Sequence, residues 1–351
     1  MSVTIQKAEK SKLEGISFDD LVFGKNFTDH MLIAEYKDGK WSDPVIKPYG
    51  NISISPAAQA LHYGQAVFEG MKAYRNENNE VFLFRPEDNF IRINKSCKRL
   101  NMPELPKETF IEGLNALVDL DRNWIPTSEG TSLYLRPFVF ASEAMLKATT
   151  SMEYTFMILC SPARSYYSEP LKVKIADHYS RAASGGVGYA KAAGNYAASF
   201  FPTEEARKEG FDQVLWTDAA THSFIEESGT MNVFVRYENK LVTAPTTETI
   251  LNGVTRRSVI EIGKELGLEV EERPVSVEEV VTGIKSGEIK EMFGCGTAVV
   301  LIPYKAVGYK DEELKLNLPS DDESIALKIK NRLVGIQTGV QEDPFGWRVK
   351  V

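Results

Sequence analysis

The stretch Ser161-Pro162-Ala163-Arg164-Ser165-Tyr166-Tyr167-Ser168-Glu169-Pro170 stands between two apolar, strand-like runs at 154–160 and 172–176. Proline carries no backbone N–H and cannot continue a paired strand or a helix interior, so the stretch breaks the chain's regular structure. It cuts a chain of 351 residues into two parts, each long enough for its own core at about 100–200 residues per domain. The expected division is a smaller N-terminal domain at 1–162, a linker at 163–170 and a larger C-terminal domain at 171–351.

The first part reads as α+β. Short β-rich runs at 31–36, 66–74 and 81–84 are joined by turn-rich stretches such as Arg75-Asn76-Glu77-Asn78-Asn79, a pattern of antiparallel hairpins. A helix opens at Pro86, a residue suited to a first helical turn, and sets Phe90, Ile93, Cys97 and Leu100 on one face and Arg92, Ser96 and Arg99 on the other. A second helix follows at 107–120, then strands at 132–140 and 154–160. Beyond the linker, strands at 172–176, 213–217, 232–235, 241–244 and 268–272 alternate with helices at 196–210, 255–266 and 277–285. Strands near 291 and at 298–302 close the series.

Composition excludes several functions. A formal charge of -8 and the absence of a basic run argue against a nucleic-acid partner. No apolar run approaches the roughly 18 residues of a membrane span. Three dispersed cysteines, Cys97, Cys160 and Cys295, make neither a disulfide framework nor a zinc site, and no metal is expected. The first ten residues lack the apolar core of a signal peptide and contain acids, so the expected location is cytoplasmic.

Common catalytic motifs are absent. Gly186-Val187-Gly188-Tyr189-Ala190-Lys191 falls short of a dinucleotide fingerprint because Lys191 stands where Gly is required. Lys191 is itself the more informative residue. It is flanked by small residues, with no acid within ten positions on either side, so desolvation would favour a neutral, nucleophilic amine; the alternative is an exposed surface lysine. Glu226-Glu227-Ser228-Gly229-Thr230-Met231-Asn232 leads into an apolar strand and offers a carboxylate and a hydroxyl, or else a solvated turn. Gly253-Val254-Thr255 opens a helix whose N–H groups suit a phosphate, with Thr255 as a simple cap the plainer reading. Gly294-Cys295-Gly296-Thr297-Ala298 is either a tight turn or a set of anion-facing N–H groups. Arg92 is either solvated or a guanidinium for that anion. Taken together, an imine-forming lysine, a carboxylate for a ring nitrogen and several donors for one phosphate are the requirements of pyridoxal 5'-phosphate (PLP).

The chain resembles the branched-chain amino acid aminotransferases of the fold-type IV PLP enzymes. Seven segments in order carry the likeness: 61–74 (Leu-His-Tyr-Gly-Gln-Ala-Val-Phe-Glu-Gly-Met-Lys-Ala-Tyr), 132–137, 191–196, 213–216, 227–232, 253–257 and 293–298. The resemblance implies two α/β domains with the cofactor in the cleft between them, a homodimer with shared active-site residues, and amino acids and 2-oxo acids as substrates. Residue by residue, Lys191 matches the lysine that bonds the cofactor and moves the substrate α-proton, Glu227 the partner of the pyridine nitrogen, and Tyr196 the partner of the ring's phenolic oxygen. Arg92, the backbone at Val254 and Thr255, and Thr297 match the phosphate cup. Thr297 and Ala298 match the turn that holds the substrate α-carboxylate, with Thr230 close by. Phe68 and Tyr134 match side-chain pocket walls, Arg136 the arginine for glutamate's distal carboxylate, and Tyr63 with the loop around Leu146 and Ala148 the residues that reach the partner subunit's site. The C-x-x-C found after the Gly-Thr-Ala turn in some members is replaced by Val299 and Ile302, so no thiol switch of that kind is expected.

A D-amino acid aminotransferase or an aminodeoxychorismate lyase would use the same fold and Lys/Glu pair. The segments around Tyr63, Arg136 and Thr230 favour the branched-chain branch. Retention of both Lys191 and Glu227 argues against a non-catalytic binding protein.

Overall fold

A computed structural model describes residues 3–164, 167 and 169–351. Of the expected linker 163–170, Ser165, Tyr166 and Ser168 lie outside the described residues. The chain divides into two compact units, but by more than one cut: unit 1 takes Met1–Tyr166, Ala190–Gly194 and Gly335–Val351, and unit 2 takes Tyr167–Tyr189 and Asn195–Val334. The C-terminal segment, expected in the second domain, falls in unit 1. Its strand Arg348–Lys350 adds to the antiparallel edge of Val81–Phe84, and those backbone bonds anchor it there.

Unit 1 is built on one ten-stranded sheet. Its central strands Ser132–Ala141 and Tyr154–Ala163 pair antiparallel along their whole length. Alternation along Ser132–Ala141 separates two faces, since successive side chains of a strand point to opposite sides. Leu133, Leu135 and Val139 join the main core, whereas Tyr134, Arg136 and Phe138 occupy the other face. The core is closed by helices Pro86–Arg99 and Lys107–Leu120. In the latter, Phe110, Leu114, Leu117 and Val118 repeat at helical spacing and are all fully buried. Such burial contributes about 1.5–3 kcal/mol per large side chain.

The run expected as one strand at 66–74 is two, Ala66–Phe68 and Met71–Arg75, both paired with Ser132–Ala141. The break has a cause. The Glu69 N–H donates to Pro137 O (2.7 Å) while its carboxylate turns toward helix Pro86–Arg99, and Gly70 packs so closely under Tyr134 that an added Cβ would overlap the phenol.

Unit 2 holds a second ten-stranded sheet in which Met231–Arg236, Glu291–Gly296, Val300–Tyr309, Leu171–Ile175, Gln213–Thr217 and Phe224–Ser228 pair in sequence. Phe224–Ser228 also pairs with Met231–Arg236, so these six strands close into a ring. Val173, Leu215, Val235, Met292, Tyr304 and Val307 pack its core. Helix Val277–Ser286 covers part of this core with Val277, Val280 and Ile284, and Ser276 caps it by accepting the Glu279 N–H at 3.0 Å. The helix expected at 196–210 is split into Ala193–Ala197 and Phe200–Lys208. Ser199 Oγ donates to Tyr196 O, and Pro202 fits only in the first turn of a new helix.

Candidate active site

On unit 1, the pleat sets Tyr134 and Arg136 two residues apart on the sheet face away from the helical core, and Phe68 stands beside them on the neighbouring strand. Arg136 Cζ lies 4.7 Å from the Phe68 ring centroid and 5.3 Å from that of Tyr134, and Nη2 donates to the Tyr134 hydroxyl at 3.0 Å. Its Nε is buried without a partner among the described residues. Phe23 meets Tyr134 edge-on, with centroids 4.8 Å apart. The result is an aromatic wall carrying one guanidinium, suited to an apolar side chain and to a carboxylate.

Lys191 belongs to the short segment that docks on unit 1. Its C=O accepts the Phe68 N–H (3.1 Å), its N–H donates to Ser96 Oγ (2.9 Å), and Ala192 bridges Val67. These contacts add the segment to a rigid strand and aim Nζ over the Phe68 ring, 4.9 Å from the centroid. Lys191 is half-buried rather than a surface lysine.

On the polar face of helix Pro86–Arg99, Arg92 and Ser96 are buried, not solvated. Ser96 is fully enclosed, and Arg92, 8% exposed, forms a two-point pair with Glu69: Nε to Oε1 and Nη2 to Oε2, each 2.7 Å. Asn89 donates to Glu69 Oε2 at 2.7 Å. A bidentate carboxylate fixes the guanidinium plane. Sequence reasoning missed Glu69 as a partner of Arg92; the available signal was a single acid in a mostly apolar β run.

On unit 2, the Glu227 carboxylate is 3% exposed and enclosed by donors. Oε1 accepts from Asn232 Nδ2 and from the Leu251 N–H, each at 3.0 Å, and Oε2 lies 2.7 Å from Arg181 Nε. Arg181 is held in turn by the carbonyls of Gly188 and Thr249. Two donors on Oε1 and a guanidinium beside Oε2 hold the carboxylate in place. Arg181 also went unrecognised in the sequence, although it and Lys191 are the only charged residues between Asp177 and Glu204.

Neighbouring Glu226 points elsewhere: Oε1 accepts from Thr249 Oγ1 at 2.5 Å, Oε2 has no partner among the described residues, and burial pushes its pKa above the ordinary carboxylate value.

Three further elements converge near Glu227. Thr230 sits exposed in the tight turn after Phe224–Ser228, which is pinned by the Gly229 N–H to Val214 O and by Trp216 Nε1 to Gly229 O. Thr297 and Ala298 form the turn between Glu291–Gly296 and Val300–Tyr309, and a Cβ at Gly296 would come 3.8 Å from Thr230 O. The helix Val254–Glu265 begins at Gly253 with no side chain capping its first N–H groups. The Arg256 side chain is bound to Ala244 O and Glu272 at 2.7 Å each. An uncapped helix start at Val254 and Thr255 and a buried carboxylate at Glu227 fit a phosphate and a protonated ring nitrogen.

Tyr196 stands half-buried on Ala193–Ala197. Tyr63 is exposed in unit 1 and donates its hydroxyl to Leu146 O. Cys295 is buried on the rung between Asn232 and Leu301, and burial pushes its thiol up to about 12, which keeps it protonated and inert. No helix among the described residues is long and apolar enough to cross a membrane.

Comparison with known proteins agrees with this chemistry. Residues 66–307 match the family model of amino-transferase class IV. A probable branched-chain-amino-acid aminotransferase of Staphylococcus epidermidis is 48% identical, with 99% of this chain and 98% of the relative aligned. Branched-chain-amino-acid aminotransferase 2 of Bacillus subtilis is 45% identical over 95% of this chain and 93% of its own length. Among solved structures, the branched-chain aminotransferase of the archaeon Thermoproteus uzoniensis, crystallised with norvaline, superposes with a TM-score of 0.74 at 25% identity, covering 92% of this chain and 99% of that one. With the family model covering more than half of its length, the chain belongs to the class IV aminotransferases.

Proposed function

We propose that this protein is a PLP-dependent transaminase that exchanges the amino group of L-leucine, L-isoleucine or L-valine with 2-oxoglutarate, giving branched-chain 2-oxo acids and L-glutamate. The observation that carries the substrate assignment is Arg136, a partly unsatisfied guanidinium lying over the Phe68 and Tyr134 rings. An apolar side chain packs on those rings, and the distal carboxylate of glutamate takes the cation. One site then accepts both partners. The three aliphatic substrates are expected to differ little, since one methylene in an apolar pocket changes binding by about 1–3 kcal/mol.

PLP, when bound, supplies an electron sink for the pair released at the substrate α-carbon. Lys191 would be the residue that holds it covalently, and its amine would take the substrate α-proton as base and return it as acid. Glu227 keeps the ring nitrogen protonated, and Tyr196 donates to the phenolic oxygen. Arg92, Thr297 and the N–H groups of Val254 and Thr255 hold the phosphate. Thr297 and Ala298, beside Thr230, bind the α-carboxylate. The two half-reactions use the same residues in turn, so kinetics are ping-pong.

The exposed residues Leu61, Tyr63 and Leu146 support a homodimer in which Tyr63 and the loop around Leu146 and Ala148 complete the site of a second copy. A cytoplasmic location is part of the same reading. Half-reactions with the L- and D-isomers of leucine, isoleucine and valine test the assignment: L-isomers are expected to change the visible absorbance of the PLP-loaded protein, and a response to D-isomers alone would overturn it.

A further inference from the structure

Asn232, like Arg181, touches both the Glu227 carboxylate and the loop leading to the phosphate-binding helix start. It is 6% exposed, and both of its amide hydrogens are committed: Nδ2 donates to Glu227 Oε1 (3.0 Å) and to Leu251 O (2.9 Å). The Leu251 N–H returns to the same Glu227 oxygen, which closes a small ring of bonds between the strand and the loop. On the other side of the amide, Oδ1 packs against Gly253, where an added Cβ would overlap it, so the glycine at the helix start and the asparagine fit each other. Asn232 also sits on the central strand of three, paired with Glu227 on one side and with Cys295, two residues before Thr297, on the other.

We propose that Asn232 is a positioning residue: its amide holds the Glu227 carboxylate and the 251–254 loop in one fixed register, so that the ring-nitrogen partner and the phosphate-binding N–H groups are set at a constant separation before the cofactor arrives. This rests on the reading of Glu227 and Val254 as PLP partners. A preset spacing between two contact points lowers the ordering cost of binding a rigid ligand. An amide is required for a chemical reason, since its two donors face one carboxylate and one carbonyl, both acceptors. Aspartate, of the same shape, would put an anionic oxygen in place of the amide nitrogen, against both of them.

The test titrates PLP into the cofactor-free wild type and its variants, reading the dissociation constant, the pH midpoint of the bound cofactor's visible band, and the melting temperature of the unloaded chain. Asn232→Ala is expected to weaken PLP about ten- to hundredfold, the range for losing a hydrogen bond to a charged group, and to move the pH midpoint. Asn232→Asp is expected to do more on both. In a Glu227→Gln background, Asn232→Ala should weaken PLP by a smaller factor than it does in the wild type, because the part of its effect that passes through the Glu227 carboxylate is already lost while its hold on Leu251 remains. Gly253→Ala, which displaces the amide without removing it, should weaken PLP in the same direction and serves if either Asn232 variant fails to fold. A lower melting temperature with unchanged PLP affinity and unchanged pH midpoint would make Asn232 merely structural and overturn the proposal. If the wild type itself does not bind PLP, the reading of Glu227 fails first, and that result is distinguishable from failure of Asn232 alone.

Discussion

Arg136 and Glu226 are both charged side chains with a buried polar atom that has no partner among the described residues, and they lead to different expectations. For Arg136, the missing partner is assigned to the substrate. Arg136→Ala should therefore raise KM for glutamate and 2-oxoglutarate by about tenfold or more, while leucine, which needs only the aromatic wall, changes by a few-fold; steady-state kinetics with each substrate checks this. For Glu226, the consequence is in stability. Burial raises its folded-state pKa above the ordinary 4.5, so the unfolded chain loses this proton at lower pH than the folded one. Stability must then fall as pH rises through the window from 4.5 up to the folded value, and the loss is absent below it. Against Glu226→Gln, which keeps an acceptor for Thr249 and cannot ionise, the wild type should lose stability between pH 4 and pH 8, read from paired thermal melts.

At the scale of elements, the site depends on how the Lys191 segment is fastened to helix Pro86–Arg99. Ser96 Oγ accepts the Lys191 N–H and donates to Arg92 O, joining the segment to the helix that also carries Arg92. Ser96→Ala is expected to lower kcat several-fold with little change in KM, because it loosens the nucleophile without touching the substrate wall; the split between kcat and KM is the measurement. Much of this level was legible in sequence. The helix at 107–120 and the strands at 81–84 and 213–217 coincide with the observed elements because their apolar periodicity is unambiguous and breakers flank them. The polar face of Pro86–Arg99 was not legible. Arg92 and Ser96 are spaced as a solvent-facing stripe, and their burial depends on Glu69 and Lys191, partners 23 and 95 residues away that helical periodicity does not register. The single run at 66–74 likewise hid a break set by Pro137 and Tyr134 from another strand. Candidate residues such as Lys191, Glu227 and Thr297 stood out because each lies in a small-residue context beside a strand or helix end. Arg181 and Asn232 did not, since their importance lies in what they hold.

For the whole molecule, the candidate residues fall on two sheets with separate cores. Unit 1 carries Lys191, the aromatic wall, Arg92 and Arg136, and unit 2 carries the buried Glu227 carboxylate, two turns and an uncapped helix start. The acidic total of -8 gave no hint of the locally placed cations Arg92 and Arg136 or of the uncapped helix start at Val254. The central claim is that Lys191 is the residue through which PLP-dependent amino transfer runs. Purified wild type and Lys191→Ala, each supplied with PLP, L-leucine and 2-oxoglutarate, test it most directly by visible absorbance and by glutamate formed. The wild type is expected to show a visible band and turnover, and Lys191→Ala to lose the band and about a thousandfold or more of the rate. A Lys191→Ala protein with the wild-type band and the wild-type rate would contradict the account.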